Sequence, residues 1–245
     1  LAPKFEYENG SIQLNAAFTK IDRVTMSDFS TVNEAESIVI DAFNKYVFNK
    51  KFYTIIGVNY GDYNSLFVSD ESFTNTDPYL NVVYVSGYGL NLNVGTRLNN
   101  HSEYGSHLVY SLNPSYSIKI NEGYAKVFGS YATSFIAPNL SQLFGFFGAN
   151  PDLKPEENTT FETGLEFNTK KGQRLNGVFF NRKEAKTIVY STSYENAITD
   201  AMVLGFELEA EVYVIQDLMM NANYTYTELK DGVRLRIPKH KANLS

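Results

Sequence analysis

The sequence predicts an all-β protein, an antiparallel β-barrel that crosses a membrane, and three observations carry that expectation. Apolar and polar residues alternate with period two from one end of the chain to the other. The connections between the alternating runs are short and long by turns. No apolar run approaches the ~18 residues that a membrane-spanning helix needs, so any crossing has to be made by strands.

Taken in order, the alternation begins weakly in residues 12–18 and becomes clean in 90–98. There Leu90, Leu92, Val94, Thr96 and Leu98 share one face, and Asn91, Asn93, Gly95 and Arg97 share the other. Residues 108–118 repeat it, with Leu108, Tyr110, Leu112, Pro114, Tyr116 and Ile118 opposite a row of Ser, Asn and Val. Weaker copies occupy 161–168 and 218–227. In 204–214, Leu204, Phe206, Leu208, Ala210, Val212 and Val214 oppose Glu207, Glu209 and Glu211. Three like charges on one strand face are tolerable where water screens them, and an aqueous lumen supplies that water.

Tight, Gly-rich or polar turns fall at Asn9-Gly10, 86–89, 119–123, 170–173 and 215–217. Longer connections are expected at 23–32, 61–78, 99–104, 135–158, 190–199 and 229–233. Counting the hairpins through gives about thirteen antiparallel strands, with short turns at one end and loops at the other. A soluble β-sandwich would use strands of about 5–6 residues and Greek-key crossings. Segments of about 10 residues with turns and loops on opposite sides are what a membrane barrel requires.

Composition narrows the chemistry. The 245 residues include 18 Tyr and 18 Phe but neither Trp nor Cys, which excludes disulfide scaffolds, thiol catalysis and Cys-based zinc sites. Lys and Arg number 21 against 27 Asp and Glu, a net charge of −6 and the wrong sign for binding nucleic acid. No G-x-S-x-G elbow, P-loop or H-E-x-x-H helix is written, so no catalytic residue is assigned and no enzyme is expected. His101, Glu103 and His107 crowd one connection, but their spacing fixes no coordination geometry, and no metal site is expected. Lys50-Lys51 and Lys170-Lys171 sit at tight turns, where a solubilising hairpin end explains them. Arg234 and Arg236 share a face in strand register.

Residues 131–156 carry a more specific signal. Ser134-Phe-Ile-Ala-Pro138-Asn-Leu140-Ser-Gln-Leu143, followed by Asn150-Pro-Asp-Leu153-Lys-Pro155-Glu156, resembles the TonB-dependent outer-membrane receptors, whose barrels carry S-F-x-A-P-x-L-x-x-L and then N-P-x-L-x-P-E. His101-Ser-Glu-Tyr104-Gly105 with the strand after it is similar to a second element of that family, and Gly205-Phe-Glu207 to a third. The wording from Ala137 to Gly148 is most similar to the cobalamin receptors; ferric-siderophore receptors share the Pro-x-Leu and Pro-Glu anchors. The resemblance implies a piece of a twenty-two-stranded barrel that occupies residues 1–245, with the plug domain, the TonB box and the closing strands outside it. The amino terminus, Leu1-Ala-Pro-Lys-Phe5, shows no signal peptide, which by itself fits either a cytosolic mature chain or a piece of something longer.

The function implied is active uptake of a large, scarce ligand across the outer membrane of a Gram-negative bacterium, with cobalamin as the first expectation and a ferric siderophore or haem as the alternative. Cobalamin would be cargo, and no cofactor is expected. The implied partners are TonB, ExbB and ExbD acting through the plug, outer-membrane lipid, and a surface lipoprotein. A surface-attached β-rich binding module such as an adhesin is the reading from a different class; it would need a second layer to cover the apolar strand face.

Pro138, Pro151 and Pro155 remove backbone donors, so residues 135–156 form a loop whatever the family. Its Phe144, Phe146, Phe147 and Asn150, together with Tyr63 and Asn64 in the expected 61–78 loop, are the candidate ligand-binding residues. They would offer aromatic faces and amide groups to a corrinoid or ferric chelate. The competing expectation for the phenylalanines is a small core belonging to the loop itself.

Overall fold

The computed structural model describes residues 1–26, 31–66, 70–215, 218–231 and 237–245. Thirteen strands form one antiparallel sheet in chain order: β1 (Lys4–Tyr7), β2 (Gly10–Thr25), β3 (Thr31–Asn49), β4 (Phe52–Leu66), β5 (Asp70–Val85), β6 (Leu90–His101), β7 (Gly105–Ile120), β8 (Gly123–Ile136), β9 (Glu156–Thr169), β10 (Arg174–Ala185), β13 (Ala201–Ile215), β14 (Leu218–Asp231) and β15 (His240–Leu244). The strands β11 (Ile188–Tyr190) and β12 (Tyr194–Asn196) pair separately as a small hairpin, and α1 (Leu140–Phe144) is a single helical turn. Every strand of the large sheet pairs with its neighbour in sequence, the meander expected of a barrel wall.

Register sorts the side chains into two faces. One transverse row runs Ser117, Lys126, Glu166, Asn176, Glu209, Asn223 and Asn243 across seven strands. One residue along, the row reads Tyr116, Val127, Leu165, Gly177, Leu208, Tyr224 and Ala242. The polar face is the lumen and the apolar face meets lipid. Leu165 and Leu208 are 67% and 50% exposed, and no second layer covers them among the described residues. The buried apolar side chains there include Pro138, Leu140, Leu143, Leu153 and Val203, all but Val203 in the connection after β8. Such a sheet in water would leave its whole apolar face wet, which argues against the soluble adhesin reading.

The lipid band has visible limits. On the outer face of β2, β3 and β4, the apolar run ends at Phe18, Ile38 and Tyr60. Beyond it the same face carries the Lys20–Glu36 ion pair at 2.7 Å and the Asn64 to Asp62 hydrogen bond at 3.1 Å. Between β6 and β7 the facing pair Leu98 and Leu108 gives way to Asn100 and Ser106, hydrogen-bonded at 2.6 Å. His101 therefore lies above the band. Tyr46 meets Phe48 edge-on at 4.7 Å and Phe48 lies tilted against Phe52 at 5.0 Å near the turn end, while Tyr110 and Tyr131 stack at 6.0 Å towards the loop end, as interfacial aromatics do.

Two expectations about loops are corrected here. Apart from residues outside the description, 61–78 is not a loop: β4 runs on to Leu66 and β5 starts at Asp70, with Tyr63 facing Phe73 and Asn64 facing Ser72. Above the lipid band both faces meet water, so a strand continues there without the alternation that would reveal it. Residues 99–104 likewise close as a three-residue turn between β6 and β7. The turn at 215–217, the loops at 23–32 and 229–233, and Arg234 and Arg236 lie wholly or partly outside the described residues.

Pro78 sits inside β5 and cannot donate to a ladder. Pairing between β5 and β6 accordingly lapses between Asn75/His101 and Tyr79/Arg97. Side chains bridge the lapse: the Asn100 amide N–H donates to Asp77 Oδ1 at 2.9 Å, and Asn100 Nδ2 donates to the Thr76 carbonyl at 2.8 Å. Asp77 is 2% exposed and its other oxygen takes Arg97 at 2.5 Å.

Candidate functional site

The long connections gather at one end of the sheet, and there the luminal face carries a run of rings in contact, one pair stacked and two tilted. Tyr63 on β4 lies 4.9 Å from Phe73 on β5, Phe73 stacks on His101 of β6 at 4.6 Å, and His101 lies 5.0 Å from Tyr104 in the turn that follows. Each ring comes from the next segment along, so strand pairing alone assembles the ladder. His101 is 5% exposed, and burial pushes its imidazole below the ordinary value. Its Nδ1 accepts the Glu103 N–H at 3.1 Å, which fixes the neutral tautomer with the proton on Nε2. Burial also raises the Tyr104 phenol, which stays protonated and donates to the Leu153 carbonyl at 3.1 Å.

Residues 137–155 fold over this ladder. Asn139 caps α1 reciprocally with Gln142: the Gln142 N–H donates to the Asn139 side chain at 2.9 Å, and Gln142 Oε1 accepts the Asn139 N–H at 2.9 Å. That box turns Leu140 and Leu143 inward beside the buried Pro138 and Leu153. Asn139 and Leu140 then line a recess of about 460 Å³ with Tyr63 and Phe73.

The β11–β12 hairpin clasps the same segment from the other side. Asn196 Nδ2 donates to the carbonyls of Lys154 and Lys186 at 2.8 and 2.7 Å, while its Oδ1 accepts the Lys154 N–H at 2.8 Å. Asn150 Nδ2 donates to the Tyr194 carbonyl at 2.9 Å, the Tyr194 N–H donates to the Gly148 carbonyl at 2.7 Å, and Lys186 pairs with Glu157 at 2.6 Å. Gly148 has φ +64°, and a Cβ there would lie 2.8 Å from backbone atoms of Ser193 and Thr192. The two connections form one cap.

Deeper on the luminal face, in strand register below the ladder, is a polar cluster. Arg97 is bound to Asp77, with Asn59 Oδ1 at 3.4 Å, and Tyr79 donates to Asp41 at 2.9 Å. The Arg97 side chain remains 41% exposed to the lumen.

The six residues expected to meet ligand are thus sorted. Tyr63 joins the ladder. Asn64 is its neighbour on the same strand and borders the same recess, but its side chain points to the opposite, outer face, where it donates to Asp62. Asn150 spends its amide on the clasp, and its Oδ1 accepts the Asp152 N–H at 3.0 Å. Phe144 is half-buried beside the loop core, while Phe146 and Phe147 are 41% and 68% exposed on the cap. Sequence reasoning passed over Phe73 and Asn196, and it weighed His101 as a metal ligand only to expect no metal site; the signal for the ladder was shared luminal parity, which needs the register. His107 Nε2 contacts the Tyr104 carbonyl at 2.9 Å and its ring stacks on Phe135, so it and His101 serve different contacts.

Comparison with known proteins agrees with this architecture. Residues 5–245 match the family model described as TonB dependent receptor-like, beta-barrel. The iron-regulated outer membrane virulence protein of Vibrio cholerae serotype O1 is 28% identical over 195 residues, which cover 63% of this chain and 28% of that protein. The siderophore receptor PirA of Pseudomonas aeruginosa superposes with a TM-score of 0.81 at 20% identity, over 93% of this chain and 46% of its own. PirA of Acinetobacter baumannii gives 0.81 at 16% identity, over 98% and 46%. The copper transporter OprC gives 0.66 at 14%, over 90% and 43%. At these identities the structural likeness speaks to the fold. The chain spans less than half the length of each of these proteins.

Proposed function

Since the chain belongs to the TonB-dependent receptor β-barrel family, whose members lie in the outer membrane of Gram-negative bacteria, we propose that it supplies the wall and mouth of a receptor that takes up a ferric siderophore. The observation that carries this is the luminal aromatic ladder of Tyr63, Phe73, His101 and Tyr104, standing under a cap and above Arg97. The open edges and faces of these rings can meet the aromatic or conjugated arms of a chelator, and a part-exposed guanidinium answers its negative charge. Two of the structural neighbours above are named as siderophore receptors, and the Vibrio relative as iron-regulated.

Cobalamin is the competing cargo, and what favoured it was the wording from Ala137 to Gly148. Those residues have folding tasks: Asn139 and Gln142 cap α1, Leu140 and Leu143 fill the loop core, and Gly148 admits the hairpin. Their wording therefore describes a cap, and a cap does not choose its cargo. None of the relatives above is named for cobalamin. Of the proposed ligand residues, Tyr63, Phe146 and Phe147 remain, with Phe73 and Tyr104 added; the buried His101 props those two rings from behind.

Energy for release into the periplasm would come through TonB, ExbB and ExbD acting on a plug within the lumen. The test is equilibrium retention of 55Fe-labelled siderophores and of labelled cyanocobalamin by outer-membrane vesicles carrying the full receptor. Saturable retention of a ferric chelate, weakened about tenfold or more by Phe73→Ala, supports the proposal. Retention of cyanocobalamin alone moves the cargo, and retention of neither overturns the uptake reading.

A further inference from the structure

The outer face bears a feature that ligand uptake does not use. From β7 across to β15, in the half of the sheet nearest the short turns, the lipid-facing side chains form an apolar trough of about 990 Å³. Small residues, Ala125, Gly177, Ala210 and Ala222 among them, set its floor, and larger ones such as Phe167 and Leu165 stand along it. Phe167 and Ala125 face each other in register, and the β9–β10 turn begins at Lys170, about 10 Å further along the strand.

That turn holds Lys170 and Lys171. Lys170 is built into the rim: its N–H donates to the Glu122 carbonyl and its Nζ to the Asn121 carbonyl at 2.8 Å, tying the β9–β10 turn to the β7–β8 turn. Lys171 carries no hydrogen bond or ion pair among the described residues, and both lysines are exposed. The charge is local. The whole chain has net charge −6, yet the described short turns carry Lys50, Lys51, Lys170 and Lys171 against Glu8 and Glu122.

We propose that the trough and the Lys170–Lys171 turn together bind an anionic phospholipid of the periplasmic leaflet, its acyl chain laid over the alanines and its phosphate at the lysines. The apolar face lies in the lipid band, so a hydrocarbon chain is its natural solvent. A floor of small side chains leaves room for the chain to settle below the surrounding surface, where dispersion contacts replace a void. A basic rim selects the charge of the headgroup, as juxtamembrane lysines do at anionic membranes. Nothing in this depends on the identity of the transported ligand, so cargo and lipid stand or fall separately.

The test is native mass spectrometry of the full receptor in detergent, titrated with phosphatidylglycerol and, separately, phosphatidylethanolamine of the same chains. The wild-type receptor is expected to retain phosphatidylglycerol about 25-fold better. Lys170→Gln with Lys171→Gln should bring the two lipids towards parity, at about fivefold per lysine, while heat-modifiable migration of the barrel stays unchanged. Ala222→Phe, which fills the trough without touching charge, should lower retention of both lipids. Equal retention by the wild type, or a preference that survives the double lysine variant, overturns the headgroup assignment. Unaltered retention in Ala222→Phe overturns the trough. A second copy of the chain seated there would appear as a dimer in the same spectra, abolished by Ala222→Phe, and would overturn the lipid assignment.

Discussion

Replacing Asn196 by alanine should open the cap and leave the barrel standing. The side chain makes three hydrogen bonds of 2.7 to 2.8 Å, two donated to the carbonyls of Lys154 and Lys186 and one accepted from the Lys154 N–H. At about 0.5–1.5 kcal/mol net for each, and with water able to reach part of the site, the loss is about 2 kcal/mol of local stability. That raises the open population of the cap about 30-fold. Hydrogen exchange of the full receptor in membrane vesicles reads it directly: peptides covering 148–156 and 186–197 should exchange faster by that order, while peptides from 204–214 hold their rate. Asn196→Asp keeps the acceptor for Lys154 and loses both donors, so it should fall between. Unchanged exchange in the cap would show that the clasp does not hold it, and faster exchange spreading into β13 would show that the cap and wall are one unit.

Other consequences follow from single contacts. Gly205→Ala should impair barrel assembly, because the new Cβ would meet the Tyr226 carbonyl oxygen and the ring of Phe180; Gly87→Ala, with nothing within 4 Å, should leave heat-modifiable migration as it is. Arg97→Met removes the partner of the nearly buried Asp77 and should cost about 3 kcal/mol in denaturant resistance, with Asp77→Asn recovering part of it in the double variant. The mouth should also loosen in acid. His101 has a folded value below the ordinary 6.5, so the unfolded turn binds the proton first, and stability is lost as pH falls through 6.5 towards the folded value. Protonating Nδ1 abolishes the acceptor for the Glu103 N–H, so exchange of that amide, corrected for intrinsic pH dependence, should accelerate over this range and not in His101→Gln.

What could be read from the sequence was whatever the lipid enforces. Leu204 to Val214 alternate because one face must be apolar and the other wet, and β13 lies where the alternation placed it. Where both faces meet water that pressure disappears, and Tyr63, Asn64, Asp70 and Asn75 read as loop although they continue two strands for several residues above the membrane. The loop after β8 was legible because proline forbids a ladder, and its small core was half anticipated in the phenylalanines; the leucines Leu140, Leu143 and Leu153 do most of that packing. The ring ladder was hidden for a different reason. Tyr63, Phe73, His101 and Tyr104 lie up to 41 positions apart (104 − 63), and only the register of three strands brings them together. Asn196 stood in a stretch of Ser, Thr and Asn with nothing local to mark it as the clasp.

The central claim is that ligand is held on the luminal side of the mouth, and neighbouring residues of β4 test it because they face opposite ways. This chain contains no cysteine, so Tyr63→Cys and Asn64→Cys each add one thiol to it. Their rates of labelling by a small, water-soluble thiol reagent, measured on intact cells with and without saturating ferric siderophore, give the answer. The ligand is expected to slow labelling at position 63 several-fold and leave position 64 untouched. Protection at 64 alone, or at neither position while the chelate is demonstrably bound, would contradict the placement of the site.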